Sequence, residues 1–289
     1  MSAAGKSGVQ RHLTIAFPTK SPADAKALAE ELPPLMADFA KVQDTLGIVH
    51  YSRFVVLGDN KTLLFLADID GDADNLIEAL AKSAGPVFDA IFGHVENPPP
   101  TPIASKSHAF FEWVTRHTAK PLTIYSACGN SSVQDIKSLA RSTGITGSTE
   151  QRPLLNYLHI ESGLKALTLE DLVLRATRSK MREGADSIGT LHFAHFVALP
   201  NNYLGFYTIF DGSFRKYIQD VTEKIGPVFD TLFEFVSDAP PTPVEKNANA
   251  FFKWVLANNL LPIGLYSAYP GLAVQDIKAL LADAKQGAA

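Results

Sequence analysis

Hydrophobic and polar positions fall into short blocks whose period changes along the chain. His12 to Phe17 reads as a strand, and Ser21-Pro22 supplies an N-cap followed by a proline at the first helical position. Ala23 to Leu46 has helical periodicity, which Pro33-Pro34 must break or kink and Gly47 must stop. Ile48 to Leu57, rich in β-branched and aromatic residues, predicts a strand. Gly58-Asp59-Asn60 predicts a turn, and Leu63 to Ile69 the return strand, ended by Asp70-Gly71. A helix is expected from about Asp74 to Ser83, followed by a second apolar segment over Pro86 to Val95. Thr101-Pro102 should then open a helix carrying Phe110, Phe111, Trp113 and Val114. Leu122 to Ala127 reads as a last strand and Val133 to Leu139 as a short closing helix.

The second half repeats this order. Gly85-Pro86-Val87-Phe88-Asp89 recurs as Gly226-Pro227-Val228-Phe229-Asp230, and Val133-Gln134-Asp135-Ile136-Lys137 recurs as Val274-Gln275-Asp276-Ile277-Lys278. From Asp70 to Leu139, 29 of 70 positions are identical at a constant offset of 141. Upstream the offset becomes 142, and His50 to Val55 lies opposite His192 to Val197. The chain is therefore two fused copies of one domain, expected at 1–145 and 150–289, with a Ser/Thr/Gly-rich seam at 140–150. The second copy predicts a strand at Tyr157 to Ile160, a helix at Leu169 to Arg182 capped by Thr168, and a hairpin at 190–210. A capping box is expected at Thr242 to Glu245.

Each copy reads β-α-β-β-α-β, the split pattern of a ferredoxin-like domain, so the predicted class is α+β. Both faces of the hairpin strands are largely apolar: His50, Ser52, Phe54 and Val56 against Val49, Tyr51, Arg53, Val55 and Leu57. A sheet with helices on one side only should show a polar outer face. The expectation is that the two sheets pack on each other.

Two such repeats with doubly apolar sheets resemble the dimeric α+β barrel superfamily in its fused, tandem form. That group includes chlorite dismutases, dye-decolourising peroxidases, haem-degrading monooxygenases and cofactor-free quinol monooxygenases. The resemblance implies a small-molecule enzyme with peroxidase- or oxygenase-like redox chemistry in an apolar pocket, with haem b as a candidate cofactor. The GxxDG signature of dye-decolourising peroxidases is absent: Ala67 to Gly71 and Thr208 to Gly212 keep only the final Asp-Gly.

Composition narrows the alternatives. The 289 residues carry 26 Lys plus Arg against 30 Asp plus Glu, a net charge of −4 with no basic block, which argues against a nucleic-acid partner. No apolar run approaches the ~20 residues of a membrane span. Cys128 is the single cysteine, so neither an intrachain disulfide nor a CxxC pair can form. Met1 to Gln10 is polar and lacks a signal-peptide core, so the expected location is the cytoplasm. There is no P-loop, GxGxxG, HExxH or GxSxG.

Four residues stand out as candidates. His50 and His192 are matched mid-strand histidines, read either as a haem ligand, another metal ligand or a general base, or as hydrogen-bonded core residues. Arg53 and His195 occupy one equivalent position with different chemistry. They are the candidate catalytic pair, with an ion pair between Arg53 and Asp68 as the structural alternative. Asp70 and Asp211 read as turn and helix-cap residues, Tyr125 and Tyr266 as matched core aromatics, and Cys128 as an inert thiol. His94, His108 and His117 carry no functional expectation, and His159 could line the interior. The expected pocket lies in one half, rimmed by Phe54, Phe65, Phe196, Phe206 and Phe210, and takes a small apolar or aromatic molecule; further homo-oligomerisation is open. The rival to an enzyme is a non-catalytic ligand-binding or scaffold protein. A cofactor-free oxygenase or isomerase is a third reading.

Overall fold

The computed structural model describes residues 10–129, 131–160 and 166–287. The reading of the polar N-terminus over residues 1–9 lies outside this range, as do the last two residues of the tail. The first copy runs β1 (Gln10–Pro18), α1 (Pro22–Glu31), α2 (Met36–Leu46), β2 (Val49–Val56), β3 (Thr62–Asp70), α3 (Ala73–Ser83), α4 (Gly85–Phe92), α5 (Ser107–His117), β4 (Thr118–Ala119), β5 (Pro121–Ser126) and α6 (Val133–Thr143). The second runs β6 (Gln151–His159), α7 (Ala166–Ser187), β7 (Leu191–Leu199), β8 (Tyr203–Asp211), α8 (Phe214–Phe233), α9 (Ala248–Ala257), β9 (Ile263–Ser267) and α10 (Val274–Gly287).

The local signals act as read. Ser21 accepts the Asp24 amide at the start of α1 with Pro22 in the first turn. Pro33-Pro34 forms a single 3₁₀ turn that separates α1 from α2. Gly47 ends α2 at φ +63°, where a Cβ would be strained. The Thr-Pro steps do not open the following helices, which begin later at Ser107 and Ala248. Instead the Asp of each GPVFD motif holds the loop: Asp89 accepts the Ile103 amide at 2.8 Å and Asp230 the Val244 amide at 2.7 Å. Thr168, expected to cap α7, lies within the helix instead.

The fold is α+β with two antiparallel sheets, ordered β4-β1-β3-β2-β9 and β5-β7-β8-β6. Their membership departs from contiguous copies. Strand β5, from the first copy, pairs with β7, and β9, from the second, pairs with β2. The compact units are accordingly Met1–Ala119 with Asn130–Ser142 and Leu260–Tyr269, and Lys120–Gly129 with Thr143–Asn259 and Pro270–Ala289. The reading of Leu122 to Ala127 as the closing strand of its own copy is corrected here, and geometry gives the reason. Thr118–Ala119 pairs with β1 at one edge of the first sheet, whereas the open side of β2 is the opposite edge, four strand spacings or about 19 Å away. Only Lys120 separates β4 from β5, a reach of about 7 Å from Ala119 to Pro121.

In the first unit the helices cover one sheet face, where Phe17, Phe39, Phe54, Phe65, Phe88 and Phe92 meet ring to ring. In the second, Phe196, Phe206, Phe229, Phe233 and Phe251 form the corresponding cluster. Phe54, Phe65, Phe196, Phe206 and Phe210 are thus core aromatics, and of these five Phe54 lines a pocket described below. Among the described residues no helix is long and apolar enough to cross a membrane.

Candidate functional site

Duplication separates what the fold needs from what one copy has added. A polar contact present in both units serves the architecture; one present in a single unit needs another reason.

The matched histidines belong to the first class. In the first unit Asp70 bridges two elements: Oδ1 lies 2.8 Å from His50 Nε2, and Oδ2 accepts the Val133 amide at the start of α6 at 2.7 Å. In the second, Asp211 does the same for His192 Nε2 at 2.7 Å and the Val274 amide of α10 at 2.8 Å. The aspartates therefore do cap helices, but distant ones rather than those that follow them in sequence. The carboxylate accepts only, which places a proton on Nε2 of each histidine. Nδ1 of His50 is then the acceptor for the Tyr269 hydroxyl at 2.9 Å.

The tyrosines repeat too. Tyr266 of β9 donates to Asp44 of α2 at 3.0 Å, and Tyr125 of β5 donates to Asp186 of α7 at 3.1 Å. Burial, reinforced by the neighbouring carboxylate, raises both phenols above their ordinary range. Gln134 Nε2 on the Gly47 carbonyl is matched by Gln275 on Gly189. Each of these pairs docks an exchanged strand or a closing helix onto its host sheet.

The second class is confined to the first unit. On the sheet face away from the helices, His12 Nδ1 donates to Asp68 Oδ1 at 2.8 Å, and His12 Nε2 meets the Thr14 hydroxyl at 2.9 Å. The Arg53 guanidinium lies 3.8 Å from Asp68 Oδ2, and the side chains of Arg53, His12 and Asp68 are fully buried. Sheet register places Pro153, Leu155, Ile209 and His195 at the equivalent positions of the second unit. Burying charges costs several kcal/mol per ion before pairing offsets it. The second unit builds the same sheet without this arginine or this aspartate.

The helical face of the first unit also carries an addition. A pocket of about 40 Å³ is lined by Met36, Phe39 and Gln43 of α2, by Ser52, Arg53 and Phe54 of β2, and by Gly264 and Tyr266 of β9. Gln43 and Ser52 are buried, and Ser52 Oγ donates to Gln43 Oε1. The second unit has Ala194 at the Ser52 position and Thr123 at the Gly264 position. There Thr123 Oγ1 accepts the Phe196 amide at 3.1 Å.

Of the sequence-level candidates, Arg53 lies in this pocket wall and next to Asp68, while His195 is buried in β7 of the other unit. His159 is exposed at the end of β6 against Tyr203, not interior. His108 is exposed, and His117 stacks on Trp113. Cys128 is buried, which pushes its thiol up to about 12 and fits the inert reading. Sequence reasoning did not single out His12, Thr14, Gln43 and Ser52. A readable signal existed for three of them, because His12, Thr14 and Ser52 stand against Pro153, Leu155 and Ala194.

A haem does not fit at His50 or His192. An axial bond to Nε2 would break the contact with Asp70 or Asp211, and Nδ1 of His50 is held by Tyr269. The pocket at Ser52 is far below the ~300–1,000 Å³ typical of cofactor sites. A larger groove of about 410 Å³ between α8 and α9 contains no axial ligand among its lining residues.

No family model matches the chain, and no curated protein matches it. Among solved structures, a Lactobacillus acidophilus protein provisionally described as a monooxygenase aligns at 10% identity and a TM-score of 0.41. The alignment covers 91% of this chain and 98% of that one. An anthrone oxidase-like protein aligns at 12% identity and a TM-score of 0.31, covering 94% and 98%. Likeness at this level assigns no activity.

Proposed function

We propose that the protein is a small-molecule enzyme of oxygenase type whose working copy is the first unit, with its substrate in the pocket between α2, β2 and β9. The observation that carries this is the polar pair in the pocket wall. Two buried polar side chains, Gln43 and Ser52, sit among Met36, Phe39 and Phe54 in one unit, and the other unit has Ala194 at the Ser52 position. A few placed polar groups in an apolar wall is the composition of ligand sites.

Gln43 and Ser52 would hold the polar end of an aromatic substrate, and the phenylalanines its ring. The Arg53 guanidinium, with Asp68 and His12 on the opposite sheet face, would back the strand from behind and not meet the substrate. His50 and His192 serve the architecture in this reading, and His195 is the degenerate counterpart of Arg53. Oxygenase chemistry comes from the architectural resemblance; the site itself comes from the residues.

The test is oxygen consumption by the purified protein with a panel of phenols and hydroquinones. Turnover should be lost when Ser52 is changed to the second unit's residue, Ser52→Ala. Turnover that survives both Ser52→Ala and Gln43→Leu would refute this site. Binding of panel members without turnover would favour the non-catalytic reading, which is supported by the use of the matched Asp70/Asp211, Tyr125/Tyr266 and Gln134/Gln275 contacts in docking strands and helices.

A further inference from the structure

We propose that Met36 and Gly264 form a size gate for the pocket of the first unit, with Met36 as the moving part. The inference takes the pocket from the reading above but concerns its entry, and it holds whether or not the bound molecule is turned over.

Three features of the first unit converge here. The 3₁₀ turn at Pro33-Pro34 ends where α2 begins, which makes Met36 the first residue of that helix. The register of β9 against β2 slips between Arg53 and Phe54, pairing them with Leu265 and Ile263 and leaving Gly264 unpaired. Gly264 takes φ +65°, a conformation that disfavours any side chain. A Cβ at Gly264 would lie 2.6 Å from Met36 Cγ and 2.9 Å from its Sδ. The thioether therefore rests on bare backbone. In the second unit, Thr123 spends its hydroxyl on the Phe196 amide and stays in the ladder.

Size shows why a gate is needed. The pocket's 40 Å³ is little more than one water's share of liquid volume, about 30 Å³, whereas a cavity that takes a benzene ring is about 150 Å³. Phe39 and Phe54 are locked in the aromatic core, and Gln43 and Ser52 hold each other. Met36 is only half-buried, unbranched and flexible, so it can swing outward without disturbing the core. With Met36 displaced, the Gln43 amide end becomes the polar stop for a single-ring molecule bearing one acceptor or hydroxyl group.

The experiment is a calorimetric titration of phenol into the full chain, comparing wild type with Met36→Ala, Gly264→Ala and the double variant. Met36→Ala should bind phenol at least fivefold more tightly than wild type. Gly264→Ala, which jams the thioether, should weaken binding at least fivefold, and the double variant should recover the Met36→Ala affinity. Thermal melts of all four proteins report the backbone strain at Gly264 separately, since that strain is common to both backgrounds. Equal weakening by Gly264→Ala with and without Met36 would overturn the gate, as would the absence of phenol binding in Met36→Ala. Phenol binding that follows this pattern without oxygen consumption would sink the enzymatic reading and leave the gate standing.

Discussion

Removing the carboxylate that links strand to helix tests the architectural role of the matched histidines. In Asp70→Ala, two buried donors lose their acceptor: the Nε2–H of His50, at 2.8 Å, and the Val133 amide, at 2.7 Å. Each unsatisfied buried donor costs about 1–3 kcal/mol, and breaking a buried pair by deleting one partner costs about 3–5 kcal/mol. The expected loss is about 3–5 kcal/mol. At about 2–4 °C per kcal/mol for domains of 150–250 residues, that is a fall of roughly 6–20 °C in Tm. Asp211→Ala breaks the matching contacts to His192 and Val274 and should cost the same within about 1 kcal/mol. Asp70→Asn keeps one acceptor oxygen and should lose about half as much. Urea unfolding followed by far-UV circular dichroism gives these values, fitted per unit if two transitions separate. The reasoning is refuted if Asp70→Ala costs under about 1 kcal/mol. It is also refuted if Asp70→Ala abolishes ligand binding at unchanged stability, because a contact made identically in both units would then have a function in one.

Two further perturbations probe unduplicated groups. Arg53→Met removes the guanidinium beside Asp68, a buried carboxylate that also accepts from His12. We expect a loss of about 2–4 kcal/mol in urea unfolding. Cys128 should resist iodoacetamide at pH 8 in the native chain and react on unfolding. Its folded-state value, raised from 9.0 to about 12 by burial, also fixes the sign of a pH effect. The unfolded thiol ionises first as pH rises, so the stabilisation present below about pH 9 is lost between pH 9 and 12, and chemical denaturation across that window should show it.

Much of the fold was legible because its signals are local. Ser21-Pro22, Pro33-Pro34, Gly47 and the hairpin turn act within a few residues of themselves, and the duplication announced itself by identity at fixed offset. Thr101-Pro102 misled because the cap chemistry it advertises was overridden by Asp89, fourteen residues before the amide it holds. The site was legible only in part. Arg53 is a mid-strand charge and draws attention in any sequence. Gln43 and His12 are ordinary residues on an amphipathic helix and a first strand, and only the sheet register brings them to Ser52 and Asp68. A β-bulge between Val49 and Tyr51 also breaks the simple alternation, so His50 does not share a face with Ser52 as a strict period of two requires.

The exchange of β5 and β9 has the widest consequence, because it makes neither sequence copy complete by itself. A fragment of residues 1–145 keeps β1 to β4 but lacks β9, so β2 presents an open edge along Val49–Val56. Its own Pro121–Ser126 is made to pair with such an edge but cannot reach it, since one residue cannot span four strand spacings. The remaining way to satisfy both is exchange between two copies of the fragment. The sequence suits that exchange: Tyr125 in one fragment can meet Asp44 in the other as Tyr266 does in the full chain, because Tyr125 and Tyr266 are equivalent residues facing Ala194 and Ser52 in equivalent registers. The fragment should therefore sediment as a dimer with a sheet content per residue close to the full chain's. Tyr125→Phe should weaken that dimer, each subunit losing a hydrogen bond worth about 1 kcal/mol. A folded monomer at micromolar concentration, with Leu122 to Tyr125 protected from hydrogen exchange, would mean that the chain can turn back across its own sheet. The edge-to-edge distance would then not be what enforces the exchange.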